Sequence, residues 1–148
     1  MSIADRTAET TWTGSLPGGA GTLHSTSSGV LDGQAVTWVS RTAAPGGRTS
    51  PEELLAAAHS SCFSMALTLK LGERGVEPTE LTVSATVTLD EVDGVPTITT
   101  SKLSVKARVD GLDVTGFRAA VDEAAKLCPV SRLFAGAKVT VEAEELLP

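Results

Sequence analysis

Two cysteines, Cys62 and Cys128, and two histidines, His24 and His59, are the residues through which this chain could do thiol or acid–base chemistry. Cys62 lies in PEELLAAAHSSCFSMALTLKL, a long and mostly apolar stretch, and Cys128 lies in AAKLCPVSRLF, where Pro129 must end one helical run and can start another. A widely spaced pair of cysteines with no secretory signal in view points to chemistry rather than to a structural staple. Zinc is a poor fit, because it needs about four ligands in recognisable pairs. Here there is no C-x-x-C, and the two histidines are unpaired. A Cys–His hydrolase is possible in principle, since His59 stands one helical turn before Cys62. That reading leaves Cys128 without a role and has no glycine pattern for an oxyanion hole.

Each residue also has a plainer reading. Free cysteine packs as a small hydrophobe, so Cys62 could be an inert core thiol and Cys128 a simple turn cysteine. Against this, the turn Ser60-Ser61-Cys62-Phe63-Ser64 is rich in hydroxyls that could hydrogen-bond a thiolate. Cys128 takes a cap-like place before Pro129, where free N–H groups favour an anion. His59 on a buried helix reads as a satisfied core or interface group. Glu52 and Glu53 read as first-turn carboxylates that complement the helix dipole. Arg41 and Arg48 are singled out by nothing local.

The elements that must position these residues follow from pattern. Thr, Val and Trp runs broken by Gly18-Gly19, Gly29 and Asp32-Gly33 suggest three strands near 7–13, 20–27 and 34–40. Ser50, Pro51 and Glu53 form a capping-box start for a helix reaching about Leu71. Its near-continuous apolarity implies burial on most sides, with help from a partner subunit. Two period-two stretches flank Asp93-Gly94, with a bulge expected near Thr99–Ser101 because Ile98 is out of phase with Leu103. A helix over 115–127 and a final strand, KVTVEAEEL, complete a βββ-α-ββ-α-β order, an α+β fold with antiparallel sheet in a single domain, 1–148. Hydrophobic residues at 41% and charged residues at 20% place the chain among globular proteins, and a net charge of −6 argues against nucleic acid or anionic membrane as partner. The Leu54–Leu71 stretch contains His59, Lys70 and several hydroxyls, too polar for a membrane span. With no basic region followed by an apolar run at the N-terminus, a cytoplasmic protein is expected.

SPEELLAAAHSSCFSMAL (50–67), LCPVSRL (127–133) and SGVLDGQ (28–34) together make the chain resemble the OsmC/Ohr family of thiol peroxidases, in its osmotically inducible OsmC branch. The resemblance implies an intertwined homodimer with two long central helices and active sites at the subunit interface. It implies reduction of organic hydroperoxides, and less efficiently hydrogen peroxide, in response to oxidative or osmotic stress, with no metal or organic cofactor. Carried over residue by residue, Cys62 is the peroxidatic thiol and Cys128 the resolving thiol. Arg41 and Glu52 match the family's charged pair, with Arg48 as the rival arginine. A dithiol such as a dihydrolipoyl group re-reduces the enzyme. Phe63, Met65 and Leu127 are the apolar neighbours expected to favour alkyl peroxides. The alternative is a redox-sensing or small-molecule-binding protein of the same fold without turnover.

Overall fold

A computed structural model describes residues 1–136 and 138–147. The chain divides into two compact units, residues 1–54 and the remainder. The first unit holds a three-stranded antiparallel sheet, β1 (Glu9–Thr13), β2 (Ala20–His24) and the two-residue β3 (Ala35–Val36), in that order. The third strand expected over 34–40 is cut short, because Trp38–Thr42 is a one-turn helix, α1. Thr37 caps it: its hydroxyl accepts from the Ser40 N–H at 2.9 Å, and the Ser40 hydroxyl accepts from the Thr37 N–H at 3.0 Å. That reciprocal pair overrides the strand propensity of the Thr-Trp-Val run.

α2 (Pro51–Gly72) starts where expected, with the Glu53 N–H bonded to the Ser50 hydroxyl at 3.1 Å. The capping box is not closed in the expected way, because the Glu53 carboxylate accepts from the Thr49 hydroxyl at 2.9 Å instead. By length and a mean hydropathy of 1.3, α2 could cross a membrane. Its inward residues Phe63, Leu67 and Leu71 are instead fully buried in the core of the second unit. The opposite stripe is bare, with Met65 68% and Leu69 53% exposed, so burial on most sides is not achieved within one chain.

The second unit is built on a sheet of order β4 (Pro78–Val92), β5 (Val95–Val109), β6 (Lys138–Leu147). β4 and β5 form a hairpin closed by Asp93 and Gly94, both at positive φ (52° and 78°), as a two-residue Asp-Gly turn requires. Thr88 pairs with Thr100 and Leu89 with Ile98, so Thr99 is the extra residue of the expected bulge. The wholly antiparallel sheet of the sequence reading is corrected by β6, which pairs with β5 in parallel. α3 (Val114–Leu127) lies between them in sequence, capped by Asp113, and supplies the crossover that a parallel neighbour needs. Leu103, Val105 and Ala107 of β5 pack with Phe117, Ala120 and Ala124 of α3 and the inward face of α2. A single turn, α4 (Pro129–Leu133), follows α3 directly and ends in a 3₁₀ turn, Phe134–Gly136.

Candidate active site

Cys128 occupies the joint between α3 and α4, serving as C-cap of the first and N-cap of the second. Its N–H reaches the Ala124 carbonyl at 2.9 Å, while Pro129, having no N–H, begins the next turn without losing a hydrogen bond. The cysteine is fully buried and faces α2. Its thiol donates to Cys62 Sγ at 3.2 Å, across 66 residues of sequence. Both cysteines are free thiols, with Cys62 half-buried.

Burial is the main influence on the Cys62 thiol and pushes its pKa up; a hydrogen bond from the Val130 N–H pulls it down, and the Cys128 thiol pushes it up again. The nearby hydroxyls do not reach the sulfur. Ser60 and Ser61 bond to the Ala57 carbonyl at 3.2 and 2.7 Å, and Ser64 to the Ser60 carbonyl at 2.8 Å. These back-bonds to the preceding turn are the local alternative open to any helical serine. His59 is likewise turned away from Cys62, with Nδ1 on the Ser101 hydroxyl at 2.6 Å and Nε2 on the Ser131 hydroxyl at 2.8 Å. Burial holds its pKa below the usual histidine value, so it is a neutral, satisfied core group.

Cys62 opens onto a cleft of about 350 Å³ lined by Met65, Ala66, Leu69, Leu127 and Pro129. Met65 and Leu127 were expected beside the thiol and line the cleft. Phe63 does not; it is fully buried in the core, because adjacent residues on a helix point about 100° apart. Ala66 and Leu69 were not anticipated, although their i+4 and i+7 spacing from Cys62 places them on its face of the helix.

The first unit carries a second charged constellation. Arg41 sits in the last turn of α1 and Glu52 in the first turn of α2. The Ser40 hydroxyl donates to the Thr49 carbonyl at 2.9 Å, and the Thr49 N–H bonds to the Ala35 carbonyl at 3.0 Å, which folds the 43–50 loop back onto β3. Arg41 Nε and Nη2 then meet Glu52 Oε1 at 2.9 and 2.7 Å, and Nε also reaches Oε2 at 3.2 Å. A two-nitrogen grip of this kind fixes the guanidinium plane far better than a single contact. The glutamate is nine-tenths buried and the arginine 29% exposed. Arg48, the rival arginine, is exposed in the loop. A small pocket of about 110 Å³ beside Arg41 is walled by Trp12, Leu16, Trp38 and Pro51.

The chain as a whole has known relatives. The chain is 42% identical to the peroxiredoxin OsmC of Escherichia coli K12 over 131 residues, 88% of this chain and 90% of that one. The organic hydroperoxide resistance protein OhrB of Bacillus subtilis superposes with a TM-score of 0.66 at 31% identity, covering 94% of this chain and 97% of the other. An OsmC-like protein from Mycoplasma pneumoniae shares the fold at a TM-score of 0.75 and 13% identity, covering 99% and 100% of the two chains. The model for OsmC-like proteins matches residues 44–144, a span that holds Glu52 and both cysteines. By that match and by the extent of its likeness to the Escherichia coli protein, the chain belongs to the OsmC-like family.

Proposed function

We propose that the protein is a two-cysteine peroxidase that reduces organic hydroperoxides, and hydrogen peroxide less efficiently, to alcohols and water. The observation that carries this reading is the 3.2 Å contact between two free thiols, one of which, Cys62, lines an apolar cleft. The relatives' names, a peroxiredoxin and an organic hydroperoxide resistance protein, support it.

In the proposed cycle the Cys62 thiolate attacks the distal peroxide oxygen and the O–O bond breaks. The alkoxide leaves as alcohol after taking a proton, and Cys62 becomes a sulfenic acid. Cys128, already in van der Waals contact, attacks the sulfenic sulfur, expels water and closes a Cys62–Cys128 disulfide. An external dithiol then restores both thiols by two exchange steps. Met65, Leu69 and Leu127 would take the alkyl group of the substrate.

A thiol whose pKa is raised by burial needs a cation to ionise near neutral pH. The Arg41 guanidinium, fixed by Glu52, is suited to this and to the charge that develops on the leaving oxygen. α2 is one unbroken helix from Pro51 to Gly72. At 1.5 Å per residue, Glu52 and Cys62 are roughly 15 Å apart along its axis. We therefore place the Arg41–Glu52 pair on Cys62 of the partner subunit, which makes a homodimer the catalytic unit. The bare stripe of Met65 and Leu69 on α2 supports such a pairing.

Cumene hydroperoxide and dithiothreitol in excess over protein test the reading. Continuous consumption over many enzyme equivalents is expected. Consumption that stops after one equivalent would instead favour a redox sensor of the same fold.

A further inference from the structure

α2 and α4 touch at two levels separated by one helical turn. At one level Cys62 meets Cys128; at the other His59 meets Ser131. His59 precedes Cys62 by three residues and Ser131 follows Cys128 by three, so each contact is the one-turn neighbour of the other on both helices. The peroxidase cycle uses the first contact and has no need of the second. Yet His59 is fully buried and makes three contacts, two of which bear on the turn that follows Cys128. Nε2 bonds the Ser131 hydroxyl at 2.8 Å, and the ring stacks on Phe134, just beyond α4, at 5.2 Å between centroids and 26° between planes. Nδ1 anchors the ring to the buried Ser101 of β5 at 2.6 Å, tying it to the sheet rather than to α2 alone.

We propose that His59 is a positioning residue for the resolving step: through Ser131 and Phe134 it latches α4 so that Cys128 stays on Cys62. This rests on the two-cysteine reading above. α4 is a single turn, closed by the Arg132 N–H on the Cys128 carbonyl at 3.1 Å, and it has too few hydrogen bonds of its own to hold an orientation. A bonded pair of sulfurs is about 2.05 Å apart, so from 3.2 Å the disulfide closes with a shift of about 1 Å and without unwinding. An unlatched α4 would let Cys128 wander and leave the sulfenic acid open to a second peroxide. Neutral histidine suits the task, since one nitrogen accepts and the other donates, and a serine hydroxyl can meet either.

The test compares wild type with Ser131→Ala, Ser131→Thr and His59→Asn, whose amide can reach the Ser101 side but is too short for Ser131. After one equivalent of peroxide, the competing products are the disulfide and a dimedone adduct of the sulfenic acid. Loss of the His59–Ser131 bond is expected to shift that partition about five- to tenfold toward the adduct in Ser131→Ala and His59→Asn. Ser131→Thr, which keeps the hydroxyl, should stay near wild type. Equilibration of the cysteine pair against oxidised and reduced dithiothreitol needs no peroxide and should show a disulfide about tenfold less favoured, about 30 mV, in the same two variants. A folded Ser131→Ala or His59→Asn with wild-type partition and wild-type dithiothreitol equilibrium would overturn the latch. Failure of the peroxidase reading would show differently, as wild type that consumes no peroxide while the dithiothreitol equilibrium still responds to Ser131.

Discussion

Cys62→Ser should abolish peroxide consumption, a fall of at least about a thousandfold, while Cys128→Ser should keep a fast burst of one equivalent and lose efficient recycling. The contrast follows from the two environments. Cys62 opens onto the apolar cleft and is the only one of the pair that a peroxide can approach, whereas Cys128 is fully buried. A serine hydroxyl at position 62 fits the space but has no accessible anion near neutral pH. At position 128 the same change would remove the thiol proposed to capture the sulfenic acid, so under excess peroxide Cys62 is expected to consume a second equivalent slowly and reach the sulfinic state. Stopped-flow consumption of cumene hydroperoxide, followed by intact mass after the burst, distinguishes the two variants. A Cys128→Ser protein that turned over like wild type would remove Cys128 from the cycle.

The second large effect is on charge. Arg41→Met should lower the rate of peroxide attack by about 10² to 10³, the usual cost of removing one group that stabilises developing charge. Burial and the Cys128 thiol push the Cys62 pKa up against the pull of the Val130 N–H, and the proposed site adds the positive charge of Arg41 from the partner subunit. Without that charge the upward push of burial should dominate and the thiol should ionise only at higher pH. The variant's rate then rises about tenfold per pH unit until its raised thiol pKa is passed. Alkylation of Cys62 by iodoacetamide across pH reports the same shift directly. Arg41→Lys should recover only part of the loss, because an ammonium cannot make the two-nitrogen grip on Glu52. Mixing Arg41→Met with Cys62→Ser should restore about a quarter of wild-type activity, since half of randomly exchanged dimers are mixed and each carries one intact site. No recovery after proven subunit exchange would place Arg41 on the Cys62 of its own chain.

How much of this was legible beforehand varied with the physics involved. The long helix, its Ser50 cap, the Asp93-Gly94 turn and the bulge at Thr99 are local matters of spacing and backbone conformation, and they were read residue by residue. Period-two alternation told which residues of β5 face the core, but not the direction of its neighbour, and β6 runs parallel. α1 was hidden because Thr37, Trp38 and Val39 favour strand while the deciding signal, a hydroxyl pair at positions 37 and 40, is easily passed over. The serines around Cys62 looked like thiolate donors, but a helix offers them nearer carbonyls. No local pattern could bring Cys62 to Cys128; only the resemblance paired them, and the core packing of α2, β5 and α3 makes that pairing physical. The role of His59 in holding α4 was invisible, because its partners Ser101 and Ser131 lie 42 and 72 residues away.

In the proposed cycle Cys62 attacks and Cys128 captures. Treatment of the reduced protein with one equivalent of cumene hydroperoxide, followed by mass spectrometry of unreduced peptides, tests it most directly. The expected result is loss of two hydrogens per chain, a cross-linked peptide pair containing Cys62 and Cys128, and one equivalent of alcohol. Cys62 carrying added oxygen with Cys128 still a free thiol, or a protein left unchanged by the peroxide, would contradict it.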